Sequence, residues 1–515
     1  MSCTSVKTHN AQIIALHSVE DLRTDVDKVY FQLQKNHPRL YQYTPKEVLD
    51  FKFDSLKSSM NKPIDSREFY KKLAPVVAHV RQGHVSVGSA DIYYTSKELK
   101  ALKKRKFEFY DLDYSYVDNK LWVTHTRGDD TTLVGSEVVK VEDELVDDLI
   151  AVYKKRFSSD GYNKTLYNRY IEKVFSTLYY KDKGFKDSLQ VTFKVKDSLF
   201  SKTFKRVEKE KKKDSIASDT LKIEKKPKLT KLEKKQQRLA AREKRKFNKN
   251  HGFISKDKGY TRTFKFLEAD STIAYMKIAS FSNGNYKNFY KESFAKIDSA
   301  KTQNLIIDLR DNGGGRISEI DYLYAYLTDK NYKLIEESEV NTRFPLFKYL
   351  MSNSSPNMLK VATAVASPFI TVHNLLKTKK RDGKLYYSLR FSKEKKPNPL
   401  HYKGNLYVLI NGNSFSASSL ISTNLQANNR ATFIGEETGG AYNGCVAGLY
   451  KIYELPTSKI KIRIGLMQIE TAYKQDPDGF GIKPDVEILP TIDAINSKKD
   501  LEVDWVINHV NEKKK

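Results

Sequence analysis

The run Asn304-Leu-Ile-Ile-Asp-Leu-Arg-Asp-Asn-Gly-Gly-Gly-Arg316 most constrains what this chain can fold into. Leu305 to Ile307 reads as a short apolar strand, and it feeds a polar turn that ends in three successive glycines. Glycine reaches backbone conformations closed to other residues and lets a neighbouring chain approach its N–H groups. A strand that ends this way offers backbone donors to a ligand or a developing oxyanion. A second strand-to-helix turn follows downstream, Leu406-Tyr-Val-Leu-Ile-Asn-Gly-Asn-Ser-Phe-Ser-Ala-Ser-Ser-Leu420.

The chain has 515 residues, of which 39% are hydrophobic, so several domains with real cores fit within it. Its formal net charge is +28, which raises the question of an anionic partner. The charge is unevenly spread. Between Lys205 and Lys249 there are 19 basic and 7 acidic side chains, so much of the excess belongs to one low-complexity stretch that reads as a solvated insertion or a surface-binding arm. The two cysteines, Cys3 and Cys445, cannot build a disulfide framework or a zinc cluster. The stretch Met358 to Leu376 comes nearest to a membrane span, but Lys360, Pro368 and His373 interrupt it, and it reads as a buried helix or a site-covering loop. Cys3 follows a small residue and precedes a polar tether, as the first residue of a mature bacterial lipoprotein does; a trimmed signal or a chance likeness both account for it.

Residues 1–17 read as a polar tether. A helical region is expected over 18–106: Ser18 caps a helix with acids in its first turn, and Val26, Val29, Tyr30 and Leu33 recur at helical spacing. Residues 107–200 alternate as strands do, as in Leu121-Trp-Val-Thr and Glu137-Val-Val-Lys-Val. Residues 201–259 form the basic insertion or linker, with only Leu232, Leu239 and Ala240 as a thin apolar face. The last unit spans 260–515, with a long insertion at 331–399 that reads as a lid or specificity element, and with a closing amphipathic helix from Asp500 to Val510.

Four serines cluster at Ser414, Ser416, Ser418 and Ser419, between the strand Leu406–Ile410 and a helix carrying Ala417, Leu420, Ile421 and Leu425 on one face. A serine at that junction meets free N–H groups and the positive end of the helix dipole. Helix capping requires serine equally, so the residues alone leave both roles open.

The two glycine and serine blocks resemble the signature blocks of the S41 family of serine peptidases, which includes the tail-specific, C-terminal-processing and tricorn-like proteases. The resemblance implies that Ser416, the first serine of Ser-Ala-Ser, is the nucleophile. It implies oxyanion donors at the backbone of Ala417 and of Gly314 or Gly315. The lysine base of the better-known branch would stand at Ala441, within Gly435-Glu-Glu-Thr-Gly-Gly-Ala-Tyr-Asn-Gly444, and a methyl group cannot take a proton. The tricorn-like branch uses a histidine in an Asp-Gly-His-Thr-type motif. Gln82-Gly-His-Val85 matches it at Gly83 and His84, which makes His84 the expected base. An acid commonly orients such a histidine. Asp478 falls at the matching offset with Asp476 as its rival, although both are equally plausible turn residues beside Pro477 and Gly479.

Cys445 reads as a small packing residue, and Asp308, Arg310 and Asp311 as residues that fix the glycine turn. No cofactor, metal or nucleic-acid module is indicated. The resemblance further implies an α/β fold with a crotonase-like catalytic core. Gly135 to Ile150 is similar to one stretch of PDZ domains, although an ordinary small β-domain fits equally well. The expected activity is hydrolysis of extended or unfolded polypeptides by acyl transfer, in a bacterial cell envelope, with Cys3 lipidation as the membrane attachment. The alternative is an S41-fold peptide- or lipid-binding protein without catalysis. A third reading, action on acyl thioesters, has no adenine-binding signature to support it.

Overall fold

The computed structural model describes residues 5–128, 130–209, 230–255, 259–267 and 270–513. It is a mixed α/β structure around several hydrophobic cores.

The strand expected at Leu305–Ile307 spans Asn304–Asp308 and every one of its residues is buried. It lies in a six-stranded sheet with the order Arg262–Phe266, Ile273–Ile278, Asn304–Asp308, Asn405–Ile410, Thr432–Gly435 and Val486–Glu487. Only the first pair is antiparallel; the others are parallel. An apolar run without alternation suits such a strand, because helices cover both faces of a parallel sheet. Side chains alternate between those faces. Leu305, Ile307, Leu406, Val408 and Ile410 join the core under the helices Tyr286–Ser299, Ile317–Tyr324 and Ala417–Ala427. Ile306, Tyr407, Leu409 and Ile434 pack instead on Val506 and Val510 of the closing helix Leu501–Glu512.

A long hairpin, Cys445–Glu454 with Lys461–Ile469, joins this unit to the amino-terminal helices. Leu466, Met467 and Ile469 enter the sheet's core. Ile460, Ile462 and Ile464 enter the core of the helices Val19–Asn36, Lys46–Ser58 and Ser66–Ala78. The hairpin also pairs with the short strand Ser86–Gly88, with Val87 opposite Ile462. An antiparallel sheet covered by the helices Val146–Lys154 and Thr165–Lys183 has a core of its own.

Several sequence expectations shift. The polar tether contains a helix, Val6–Ile14, capped by Ser5; Cys3 lies outside the described residues. The β-rich stretch does not stop at residue 200, because the strand Ser198–Glu208 pairs Glu208 with Arg105. Within the basic stretch, Lys231–His251 is a helix opened by a reciprocal Thr230–Glu233 capping box and closed by left-handed Gly252. Its last turn is anchored where Asn250 bonds Glu292 and Asn248 receives the Tyr260 hydroxyl. The rest of that stretch, 210–229, lies outside the described residues.

Met358–Leu376, expected to be a buried helix or a site-covering loop, is helical but not buried. It forms two helices, Asn357–Val365 and Ser367–Lys377, bent 76° apart. Their inward residues are polar: Thr363 and Asn374 are buried and bond the carbonyls of Leu359 and Ile370. The apolar residues face outward.

Candidate active site

The four clustered serines separate by environment. Ser414 donates to the Leu309 carbonyl at 2.8 Å, Ser418 to the Asn312 carbonyl at 2.7 Å, and Ser419 to the Ser414 carbonyl at 3.3 Å; all three are buried. Each fixes the turn. Ser416 alone of the four is partly open, and its backbone is left-handed, φ 57° and ψ −115°. Such a conformation is costly for a residue with a Cβ and persists only where packing imposes it. The turn projects the hydroxyl from the start of the helix Ala417–Ala427.

His84 meets it. The Nε2 of His84 lies 3.0 Å from the Ser416 Oγ, across 332 residues of sequence. The segment carrying His84 precedes the strand Ser86–Gly88, and its pairing with Lys461–Ile469 carries the ring to the sheet's end. Gly83 permits the approach, because a Cβ there would fall 2.6 Å from the Phe415 ring. The other nitrogen of His84, Nδ1, lies 3.3 Å from the hydroxyl of Tyr450. Arg463 stacks over the Tyr450 ring at 3.6 Å.

The sequence placed Asp478 or Asp476 beside His84, and the geometry does not. Asp478 accepts from Gln42 at 2.8 Å and from the Gly479 amide at 2.6 Å, with the Tyr43 hydroxyl at 3.5 Å. Asp476 is exposed in the same turn. The buried acid of this region is Asp160, which accepts from the Gly83 amide at 2.8 Å, one residue before His84. Burial and the neighbouring Asp478 charge push the Asp160 carboxyl up to about 7. Burial, followed by the Arg463 charge, depresses His84 to about 3. Its ring therefore stays neutral at ordinary pH, which keeps a lone pair available.

Of the expected oxyanion donors, the Gly314 amide is already engaged, since it donates to Asn312 Oδ1 at 2.9 Å. No described residue accepts from the amides of Gly315 or Ala417, and both residues line the cleft beside Ser416. The glycine loop and the serine turn touch closely: a Cβ on Gly314, whose φ is 97°, would lie 2.8 Å from the Phe415 carbonyl. Asn312 joins them. It donates to the Ile278 carbonyl at 2.7 Å, and its own carbonyl receives the Phe415 amide at 3.0 Å. Asp308, Arg310 and Asp311 hold the turn from behind. Arg310 forks onto Asp308 and Asp500, and Asp311 receives Asn413 at 3.0 Å.

Ala441 is buried where the resemblance would place a lysine. Burial also pushes the Cys445 thiol well up, so this neighbour of Ser416 stays protonated and unreactive. The cleft beside Ser416 holds about 570 Å³. Leu389, Phe391, Leu420, Ala447 and Ile469 give it an apolar lining, with Arg316, Lys377 and Arg390 also on its wall. Sequence reasoning missed Tyr450, Asp160 and Asn312. The first sits in an unremarkable strand, the second in a turn-like Ser-Ser-Asp-Gly, and only the third adjoined a motif that drew attention.

Residues 272–488 match the peptidase family S41. A tail-specific protease of Haemophilus influenzae is 27% identical over 238 residues, which is 45% of this chain and 26% of that protein. The chain thus spans about a quarter of the length of this relative. Among solved structures, mature CPAF complexed with lactacystin aligns with a TM-score of 0.60 at 16% identity, over 93% of this chain and 96% of that one. Mature CPAF aligns with a TM-score of 0.59 at 15% identity, over 93% and 94%. These likenesses establish a shared fold along nearly the whole chain. Residues 272–488 are thus the part of the chain that resembles peptidase family S41.

Proposed function

We propose that this chain is a serine peptidase that cleaves extended or unfolded polypeptides by acyl transfer, with Ser416 as nucleophile and His84 as base. The observation that carries the reading is the 3.0 Å contact between His84 Nε2 and Ser416 Oγ at a left-handed turn. With Nδ1 protonated and donating to the Tyr450 oxygen, Nε2 presents its lone pair to the serine proton. Ser416 attacks the carbonyl carbon while His84 takes the proton. The oxyanion forms against the amides of Gly315 and Ala417. His84 then protonates the leaving amine, and water repeats the cycle on the acyl-enzyme.

The edge of the hairpin supports an extended substrate. Among the described residues Cys445–Glu454 pairs on one side only, and Ser352 and Asn353 cover its far end. The Cys445–Gly448 end borders the cleft, where a substrate strand would add to it. On this reading the six-stranded unit is a crotonase-like core, the antiparallel unit is a PDZ-like or an ordinary small β-domain, and Cys3 lipidation in a bacterial envelope supplies attachment.

A fluorophosphonate probe followed by peptide mapping tests the reading. Labelling is expected at Ser416 and lost in Ser416→Ala, with the fold retained. Labelling at another serine would overturn the assignment. One observation favours the second reading, a binding protein without catalysis: Tyr450, not a carboxylate, faces Nδ1. A folded chain that binds unfolded polypeptide yet resists the probe would establish it.

A further inference from the structure

The helix pair Asn357–Val365 and Ser367–Lys377 presents an apolar surface outward, and we propose that this surface docks on an anionic lipid bilayer. On the first helix, Met358, Val361 and Val365 are 84%, 65% and 78% exposed; on the second, Phe369, Val372 and Leu376 are 81%, 56% and 75% exposed. Each set has the i, i+3, i+7 spacing of a single helix face. Helices in water normally turn such a face inward, and contiguous apolar patches on a protein surface mark interaction sites.

The patch is distinct from the substrate cleft. His373 and Lys377 line the cleft, whereas Val372 and Leu376 precede them by one residue and point about a quarter-turn away. Neither helix is long enough to cross a membrane, and no single helix among the described residues is long and apolar enough to do so. Lying in the interface is the geometry that fits.

Charge selects the occupant. From Asn341 to Arg381 there is no acidic residue and there are seven cations, Arg343, Lys348, Lys360, Lys377, Lys379, Lys380 and Arg381, of which Lys377 lines the cleft. Lys379, Lys380 and Arg381 are exposed directly after the second helix, although Arg381 also pairs with Glu337. A second copy of the chain would bring the same cations and no acid to a symmetric contact, on a molecule already carrying +28. An anionic headgroup layer neutralises those cations while its acyl region receives the apolar side chains.

The test uses the full chain expressed without lipid attachment and sedimented with vesicles. Binding to phosphatidylglycerol-containing vesicles should exceed binding to phosphatidylcholine alone, and should weaken with salt. Val365→Ser/Phe369→Ser should lower partitioning roughly tenfold or more. Lys379→Glu/Lys380→Glu should remove the preference for anionic vesicles. Circular dichroism and fluorophosphonate labelling should be unchanged in both variants, since none of these side chains lines the cleft. Failure of the unaltered chain to sediment with anionic vesicles would overturn the proposal. So would a dimer in analytical ultracentrifugation that Val365→Ser/Phe369→Ser dissociates, which would assign the patch to a second copy. Binding that survives Val365→Ser/Phe369→Ser but is lost on Arg238→Glu/Arg242→Glu would assign it to the basic helix instead.

Discussion

At the scale of single residues, the site rests on a neutral imidazole between two hydroxyls. Tyr450→Phe removes the group facing Nδ1 and leaves the ring stack with Arg463. The expected result is a fall in kcat of roughly tenfold to a hundredfold with little change in KM, as for loss of an orienting group; peptide kinetics would show it. The depressed pKa of His84, from 6.5 to about 3, also fixes a pH response. The neutral form persists below pH 6.5, so the acid limb of kcat/KM should lie well below the ordinary histidine range. A limb near 6.5 would show that the working base is solvated and is not this ring. Asp160 titrates in the opposite sense. Its folded pKa is raised from 3.8 to about 7, so it binds more protons folded than unfolded. The stability this contributes is complete below about pH 3.8 and is lost as pH rises through about 7. Asp160→Asn keeps an acceptor for the Gly83 amide without the charge. It should raise stability above pH 7 by on the order of 2–4 kcal/mol and flatten the dependence, as read from urea midpoints on either side of about pH 7.

At the scale of elements, two strand ends and one buried ion pair set the geometry. The parallel strands Asn304–Asp308 and Asn405–Ile410 lie side by side, with Asp308 opposite Leu409, so the glycine loop and the serine turn leave the sheet at the same edge. The helix Ile317–Tyr324 that follows the glycines is tied down by Arg262, from the antiparallel edge strand. Arg262 bonds Glu319 at 2.7 Å and the carbonyls of Ser282 and Asn283, with both charged side chains fully buried. Removing one partner leaves a buried charge short of its counterion. Arg262→Met should therefore destabilise the fold by about 3–5 kcal/mol, measured by denaturant unfolding. A loss below about 1 kcal/mol would mean that Arg316, 2.6 Å from the same glutamate, carries the compensation alone.

At the scale of the whole molecule, the site is a junction. Ser416 belongs to the six-stranded unit and His84 to the segment after the amino-terminal helices, while the hairpin sheltering Tyr450 is shared by both cores. The antiparallel unit docks alongside. Its helix Thr165–Lys183 carries Arg169, which bonds Glu436 at 2.6 Å, and the Arg169 carbonyl receives Asn413 at 2.9 Å. The basic stretch connects elsewhere: Glu208 pairs with Arg105, and the helix ending at His251 is anchored by Glu292 and Tyr260. Replacing residues 210–229 with a Gly/Ser linker of equal length should leave labelling of Ser416 unchanged. Loss of labelling in a folded variant would tie that segment to the cleft.

What the sequence determined by itself is local. The apolar run before three glycines announced a strand, and Ser18 and Asp500 announced helix starts that their side chains do cap, because strand and cap chemistry depend on near neighbours. The serine cluster stood out because its strand-to-helix turn is encoded within a few residues, but Ser416 was singled out among the four only through the Ser-Ala-Ser match. His84 was legible only through the Gly-His match, because nothing local brings it across 332 residues. Tyr450 and Asp160 were illegible: each works through a partner distant in sequence, and a tyrosine in a strand or an aspartate before glycine is ordinary by itself. Asp478 was misassigned for the converse reason, since offset from a motif fixes position along the chain and not which of two facing groups reaches the ring. Of the two readings of Met358–Leu376, the site-covering loop keeps His373 and Lys377 on the cleft wall, and the buried helix fails, because apolar composition reports that a surface needs cover but not what supplies it. That was decided by the tertiary structure, which turned Thr363 and Asn374 inward and left the apolar stripes without a protein partner among the described residues.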